Sequence, residues 1–245
     1  MVKSNAWTRD QLILALRLYI RTPFGKLHSS NPEIIELTSK LGRTAGAVAM
    51  KACNFASLDP KLDRQGLSGT SRADREIWNE FTANPEAVAA EVEEVVERLL
   101  AKTGTAEAES FKMPSGDTDV SRLIRARRVQ SFFRDAVLVT YNSRCAITQL
   151  ALPELLNANH IIPWSQSVER RAGPRNGICL NVLFDRAFDR GLITIDEKHE
   201  VVVAKHVVKA CTSLELQCSL IEAHGRAIEL PKRFQPDPVA LAHHR

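Results

Sequence analysis

The sequence lacks a cysteine framework. Its five cysteines, Cys53, Cys145, Cys179, Cys211 and Cys218, are odd in number and none stands at C-x-x-C distance from another. That spacing argues against disulfide bracing and against a structural zinc knuckle, and leaves free thiols as the expectation. No apolar run reaches the length of a membrane span, so no membrane partner is expected. The N-terminal stretch has no apolar core of the secretory kind, which sets a cytoplasmic protein as the default. There is no internal repeat. Charge of one sign is also scarce: 33 basic against 29 acidic residues leave a formal net charge of +4, too mild to name a partner. What the chain does have is length and apolar content. Its 245 residues, 44% of them hydrophobic, suffice for one large or two modest domains with real cores.

The charges are unevenly spread. Acids dominate from Asn84 to Asp119. From Arg122 to Arg175 the balance reverses: Arg122, Arg125, Arg127, Arg128, Arg134, Arg144, Arg170, Arg171 and Arg175 face only Asp135, Glu154 and Glu169. Arginine suits bidentate phosphate contact, so the segment reads either as a nucleic-acid footprint or as a solvated helix face.

Residues 1–102 read as helices. Thr8-Arg-Asp-Gln11 has the form of a capping box. Asn31-Pro32 opens a second helix with an N-cap and a proline at its first position. Gly42 closes that helix, and Thr44 caps a third from Ala45 to Phe55. This pair resembles a helix-turn-helix, which would bring Arg43 and Lys51 to a DNA backbone; a plain bundle or a protein-contact module shares the pattern. Trp78 to Lys102 reads as a single helix with an apolar stripe and an acidic outer face, a connecting or homodimerising element. Residues 103–118, rich in small and polar residues, read as a linker. Residues 119–245 then form a second domain that starts with a long helix. Its later part is mixed, with a hairpin of Leu192–Ile195 and Val201–Val203 about the turn Asp196–Glu200. The fold class expected is α+β.

The residues that carry chemistry lie between Asn159 and Asp189. His160 ends a short apolar segment before Ile161, Ile162 and Pro163, and a histidine held at a strand end suits a general base. Asn176-Gly177 reads as a turn dipeptide ahead of a second strand, Ile178 to Leu180. Asn181 can cap a helix on which Asp185 and Asp189, four residues apart, share a face. Hard oxygen ligands of this kind suit Mg²⁺ or Mn²⁺.

Four boxes in order, Cys145-Ala-Ile-Thr148, His160-Ile-Ile-Pro-Trp164, Asn176-Gly-Ile-Cys-Leu180 and Asp185-Arg-Ala-Phe-Asp-Arg-Gly-Leu192, resemble the HNH (ββα-metal) endonucleases, in particular a restriction-type branch. The resemblance implies a metal-dependent DNA endonuclease with a role in restriction or defence, acting on double-stranded DNA with one Mg²⁺ or Mn²⁺ per site. In that scheme His160 is the base and Asn176 orients it. Asp185 holds the metal in place of the family's last histidine, and Asn159 supplies a second ligand; Asp189 is a further candidate. DNA contacts are expected at Arg122, Arg125, Arg127, Arg128, Arg134, Arg175, Arg43 and Lys51. Phe184 stands where relatives of this branch often carry histidine, and Asn159 is neutral where some carry aspartate. These departures keep a second reading open, a non-catalytic DNA-binding protein with a degenerate nuclease half.

Overall fold

The computed structural model describes residues 6–60, 62, 69–103, 117–210, 214 and 217–245. The chain divides into two compact units, Met1–Phe132 and Phe133–Arg245. The class is α+β, a helical unit first and a unit with two small sheets second. The expected linker falls largely on residues 104–116, which lie outside the described residues.

In the first unit, α1 (Arg9–Arg21) starts in the capping box that Thr8 and Gln11 make with each other's backbone N–H. α2 (Pro32–Leu41) starts under the Asn31 side chain, which accepts from Glu33 N–H, and stops at Gly42, whose φ of +62° is one that glycine adopts without penalty. α3 (Ala45–Leu58) is capped by Thr44. Leu12, Leu16 and Tyr19 of α1 and Val48, Ala52 and Phe55 of α3 are buried.

The stretch expected as a single helix from Trp78 is two. α4 (Arg72–Ala83) ends on Asn84, whose N–H reaches back to Glu80 O, and α5 (Pro85–Thr103) restarts at once, with Asn84 Oδ1 accepting from Ala87 N–H. Pro85 has no N–H to continue the ladder and a φ suited to a first helical position, so Asn84-Pro85 repeats the signal of Asn31-Pro32. The apolar stripe of α5 is spent inside the chain: Val88, Val92 and Val95 are buried and α5 packs on α1 and α4. Its acids are used there too, Glu91 with Arg9 and Glu97 with Arg128.

α6 (Asp117–Thr140) carries the division between the units and delivers Phe133 and Val137 to the core of the second. There β1 (Leu156–His160) pairs antiparallel with β2 (Gly177–Asn181), in a register that sets Leu156 opposite Asn181 and His160 opposite Gly177. α7 (Val182–Asp189) follows β2 without a gap because Asn181 Oδ1 accepts from the N–H of both Leu183 and Phe184. The expected hairpin is present as β3 (Ile193–Ile195) and β4 (Val201–Val203), turned by Asp196, whose carboxylate accepts from Lys198 and Glu200 N–H. α8 (Lys205–Ala210), a π-helical turn (Gln217–Ile221) and α9 (Pro238–His244) complete the unit. Ile178, Leu180, Phe184 and Phe188 sit in one core with Phe133 and Val137. Each such buried side chain contributes about 1.5–3 kcal/mol of burial free energy, which fixes strand and helix beneath the site.

Candidate active site

The ring of His160 is boxed on three sides. Phe133 stacks on it at 3.7 Å between centroids and 12° between planes. The Trp164 ring meets it edge-on at 5.6 Å. Nε2 lies 2.9 Å from the carbonyl oxygen of Arg171. A carbonyl can only accept, so Nε2 carries the proton and the lone pair of the neutral ring stays on Nδ1. Burial is the main influence on its titration and lowers its pKa from the ordinary 6.5; the Arg171 hydrogen bond works the other way. The ring is therefore neutral at pH 7, the form a general base requires.

Asn176 does not make a hairpin turn. It ends a short 3₁₀ helix, Pro174–Asn176, and Gly177 is already extended, at φ −127°. The Asn176 side chain, 3% exposed, clamps the main chain just after His160: Oδ1 accepts from Ile162 N–H at 2.9 Å and Nδ2 donates to Ile162 O at 3.0 Å. Its own carbonyl accepts from Ile161 N–H. This clamp fixes where β1 ends. Gly177 owes its identity to space. A Cβ there would overlap Val137 Cγ2 and come to 2.9 Å from Phe133 Cζ, in the ring that backs His160.

On the helix side, Asp185 and Asp189 do share a face, and both point to β1. Asn159 Nδ2 donates to Asp185 Oδ1 at 2.9 Å and to Asp189 Oδ1 at 2.8 Å. Asn157, which sequence reasoning missed, donates to Asp185 Oδ2 at 2.8 Å. Alternation along the strand puts residues 157 and 159 on one face, and that was the available signal.

Among the described residues no group of three or more His, Cys, Asp or Glu side chains is placed to hold a metal. The two carboxylates with an amide do fit one. Asn159 is 3% exposed and its Oδ1 has no hydrogen-bond partner. A half-turn of that amide would aim Oδ1 at both carboxylates, an arrangement of three oxygens that only a cation would stabilise. An all-oxygen set of this kind suits a hard divalent ion.

Residues 145–196 match a family described as HNH endonuclease. This part of the chain belongs to the HNH endonuclease family. The matched segment runs from Cys145 through β1, β2 and α7 into β3, so it contains His160, Asn176, Asp185 and Asp189. No curated protein matches the chain. The HNH domain points to nuclease activity with a nucleic-acid substrate and to the divalent metal that such domains generally use. No described helix is long and apolar enough to cross a membrane.

Phe184 is a core residue at 1% exposure. His244 stacks on Phe188 at 3.6 Å, meets Phe188 O with Nε2 and Thr194 Oγ1 with Nδ1, and so ties α9 to the end of α7.

The expected DNA contacts divide. Arg134 and Arg175 of the second unit are exposed. Arg127 is exposed on α6, Arg128 is paired with Glu97, and the side chains of Arg122 and Arg125 lie outside the described residues. Arg43 donates to Ala6 O and Gln11 Oε1 and stacks over Trp7. Lys51 must be corrected. It is 8% exposed, and its ammonium lies 3.0 Å from each oxygen of the fully buried Asp74, so no phosphate can reach it. Within α3 only Gly46 and Met50 are exposed, which gives a DNA groove no base to meet.

Proposed function

We propose that the protein is a divalent-metal-dependent endonuclease of double-stranded DNA. The observation that carries this reading is the hydrogen bond from His160 Nε2–H to the Arg171 carbonyl. It leaves Nδ1 as proton acceptor one residue from the amide on which two carboxylates converge. His160 takes a proton from the attacking water at Nδ1. Phe133 and Trp164 hold the ring plane, and Asn176 holds the main chain that follows it. Asp185 and Asp189, with Asn159 through Oδ1, would hold Mg²⁺ or Mn²⁺. That ion, when bound, supplies positive charge to the phosphate and the leaving 3′-oxygen. Exposed Arg134 and Arg175, in the same unit as the site, are candidates to meet phosphates. The likeness of the four boxes to the restriction-type branch supports a role against foreign DNA.

A single site cuts one strand per encounter, so nicked plasmid should precede linear product. Purified protein should cut with Mg²⁺ or Mn²⁺, stop with EDTA, and lose cutting in His160→Ala. Because the His160 pKa is lowered, the acid limb of the rate profile should lie below pH 6.5. Salt-sensitive DNA binding without cleavage in any metal would instead establish the non-catalytic reading. Full activity in His160→Ala would remove the base.

A further inference from the structure

We propose that the side chain of Arg171 is a positioning residue for His160, acting through its own main chain and through Trp164. The proposal rests on the reading of His160 as the base. The carbonyl that receives the His160 proton belongs to a loop, residues 161–173, that has no strand partner. The tautomer of the base therefore depends on what holds that loop in place. The backbone ties at this point run from Arg171 N–H to Val168 O at 3.4 Å and from Gly173 N–H to Arg170 O at 3.0 Å. The side chain adds to them. Arg171 Nε donates to the Trp164 carbonyl at 2.7 Å, and the guanidinium lies over the Trp164 ring at 4.9 Å from its centroid. One side chain thus closes the loop from residue 171 back to residue 164. It also joins the two groups that touch His160 from the loop, the Arg171 carbonyl and the Trp164 ring.

Arginine suits this task by its shape. A planar guanidinium can donate in its own plane while its face stacks on an aromatic ring, whereas a lysine ammonium has no face to stack. Arg170 next door does separate work, pairing with Asp237. Without the strut, the Arg171 carbonyl is free to leave Nε2, and nothing then holds the proton there rather than on Nδ1. A ring protonated on Nδ1 presents a donor where the attacking water needs an acceptor.

The test is a long-range ¹H–¹⁵N correlation of the histidine rings of the full chain at pH 8, with the His160 signals assigned by their loss in His160→Ala. The wild type should show one neutral tautomer, protonated on Nε2. Arg171→Ala should show a mixed tautomer pattern, with kcat down about 10- to 100-fold, the range for lost support of an active-site group, and KM for DNA little changed. Arg171→Lys keeps the charge and the stem, and should still show mixing, to a lesser degree. It carries the test alone if Arg171→Ala does not fold. Ring signals unchanged in the folded variants overturn the proposal. A raised KM with an unchanged ring pattern also overturns it, making Arg171 a phosphate contact. A wild type that cuts no DNA in any metal defeats the nuclease function, while the ring pattern still decides the role of Arg171.

Discussion

Replacing Gly177 by alanine adds one carbon atom and should disturb both stability and catalysis. The new Cβ would overlap Val137 Cγ2 and sit 2.9 Å and 3.0 Å from Phe133 Cζ and Cε2. Both neighbours are fully packed core side chains on α6, so the strain has no cheap outlet. Overpacking of this kind costs about 1–3 kcal/mol. The displaced Phe133 ring is the one that His160 stacks on at 3.7 Å, so the base moves with it; misplacement by about 1 Å can cost up to about 100-fold in rate. A double-mutant cycle isolates the cause. Val137→Ala removes the overlapped methyl, so Gly177→Ala with Val137→Ala should be more stable than the two single losses sum to, by about 0.5–3 kcal/mol. Urea denaturation gives the stabilities, and plasmid cleavage gives the rate. Losses that add within about 0.3–0.5 kcal/mol would refute the close-approach argument for Gly177.

Asn176→Ala strips the Ile162 N–H and C=O of their partners in a buried site, at about 1–3 kcal/mol for each group; an unchanged denaturation midpoint would contradict the clamp. Asn159→Asp replaces an amide that donates to two carboxylates with a third carboxylate, so melting in EDTA should fall, and the rise on adding Mn²⁺ should exceed that of the wild type. Equal metal-induced shifts would argue against ligation at residue 159. Lys51→Met leaves the Asp74 carboxylate buried and unpaired and should cost about 3–5 kcal/mol, whereas a stable variant with weakened DNA binding would return Lys51 to the interface.

Local signals in the sequence were reliable where a residue acts on its own backbone. Thr8, Asn31, Thr44 and Asn181 all cap the helices they were expected to cap, because the cap bond spans two or three residues. The family match covers the four boxes, and His160, Asn176 and Asp185 take up connected positions around β1, β2 and α7. Signals that depend on distant packing were not legible. The helix expected from Trp78 to Lys102 ran across the restart at Asn84-Pro85, since apolar residues recur on both sides of it. Asn176-Gly177 looks like a turn pair until α6 is seen against Gly177. Lys51 looks solvated until Asp74, 23 residues on, is found beneath it. Nothing local marks His244, whose partners lie 50 or more residues away.

The short span of the β1–β2–α7 unit bears on how such a site could be transplanted. From Asn157 to Asp189 the constellation is built from one continuous stretch, closed by a loop of modest length whose ordering entropy grows only slowly with size. Grafting residues 157–189 onto another chain would move that constellation in one piece. It does not travel complete, however. The ring that backs His160 comes from Phe133, ahead of the matched segment, and the imidazole that pins the end of α7 comes from His244, well after it. A graft of the matched segment alone would leave both supports behind.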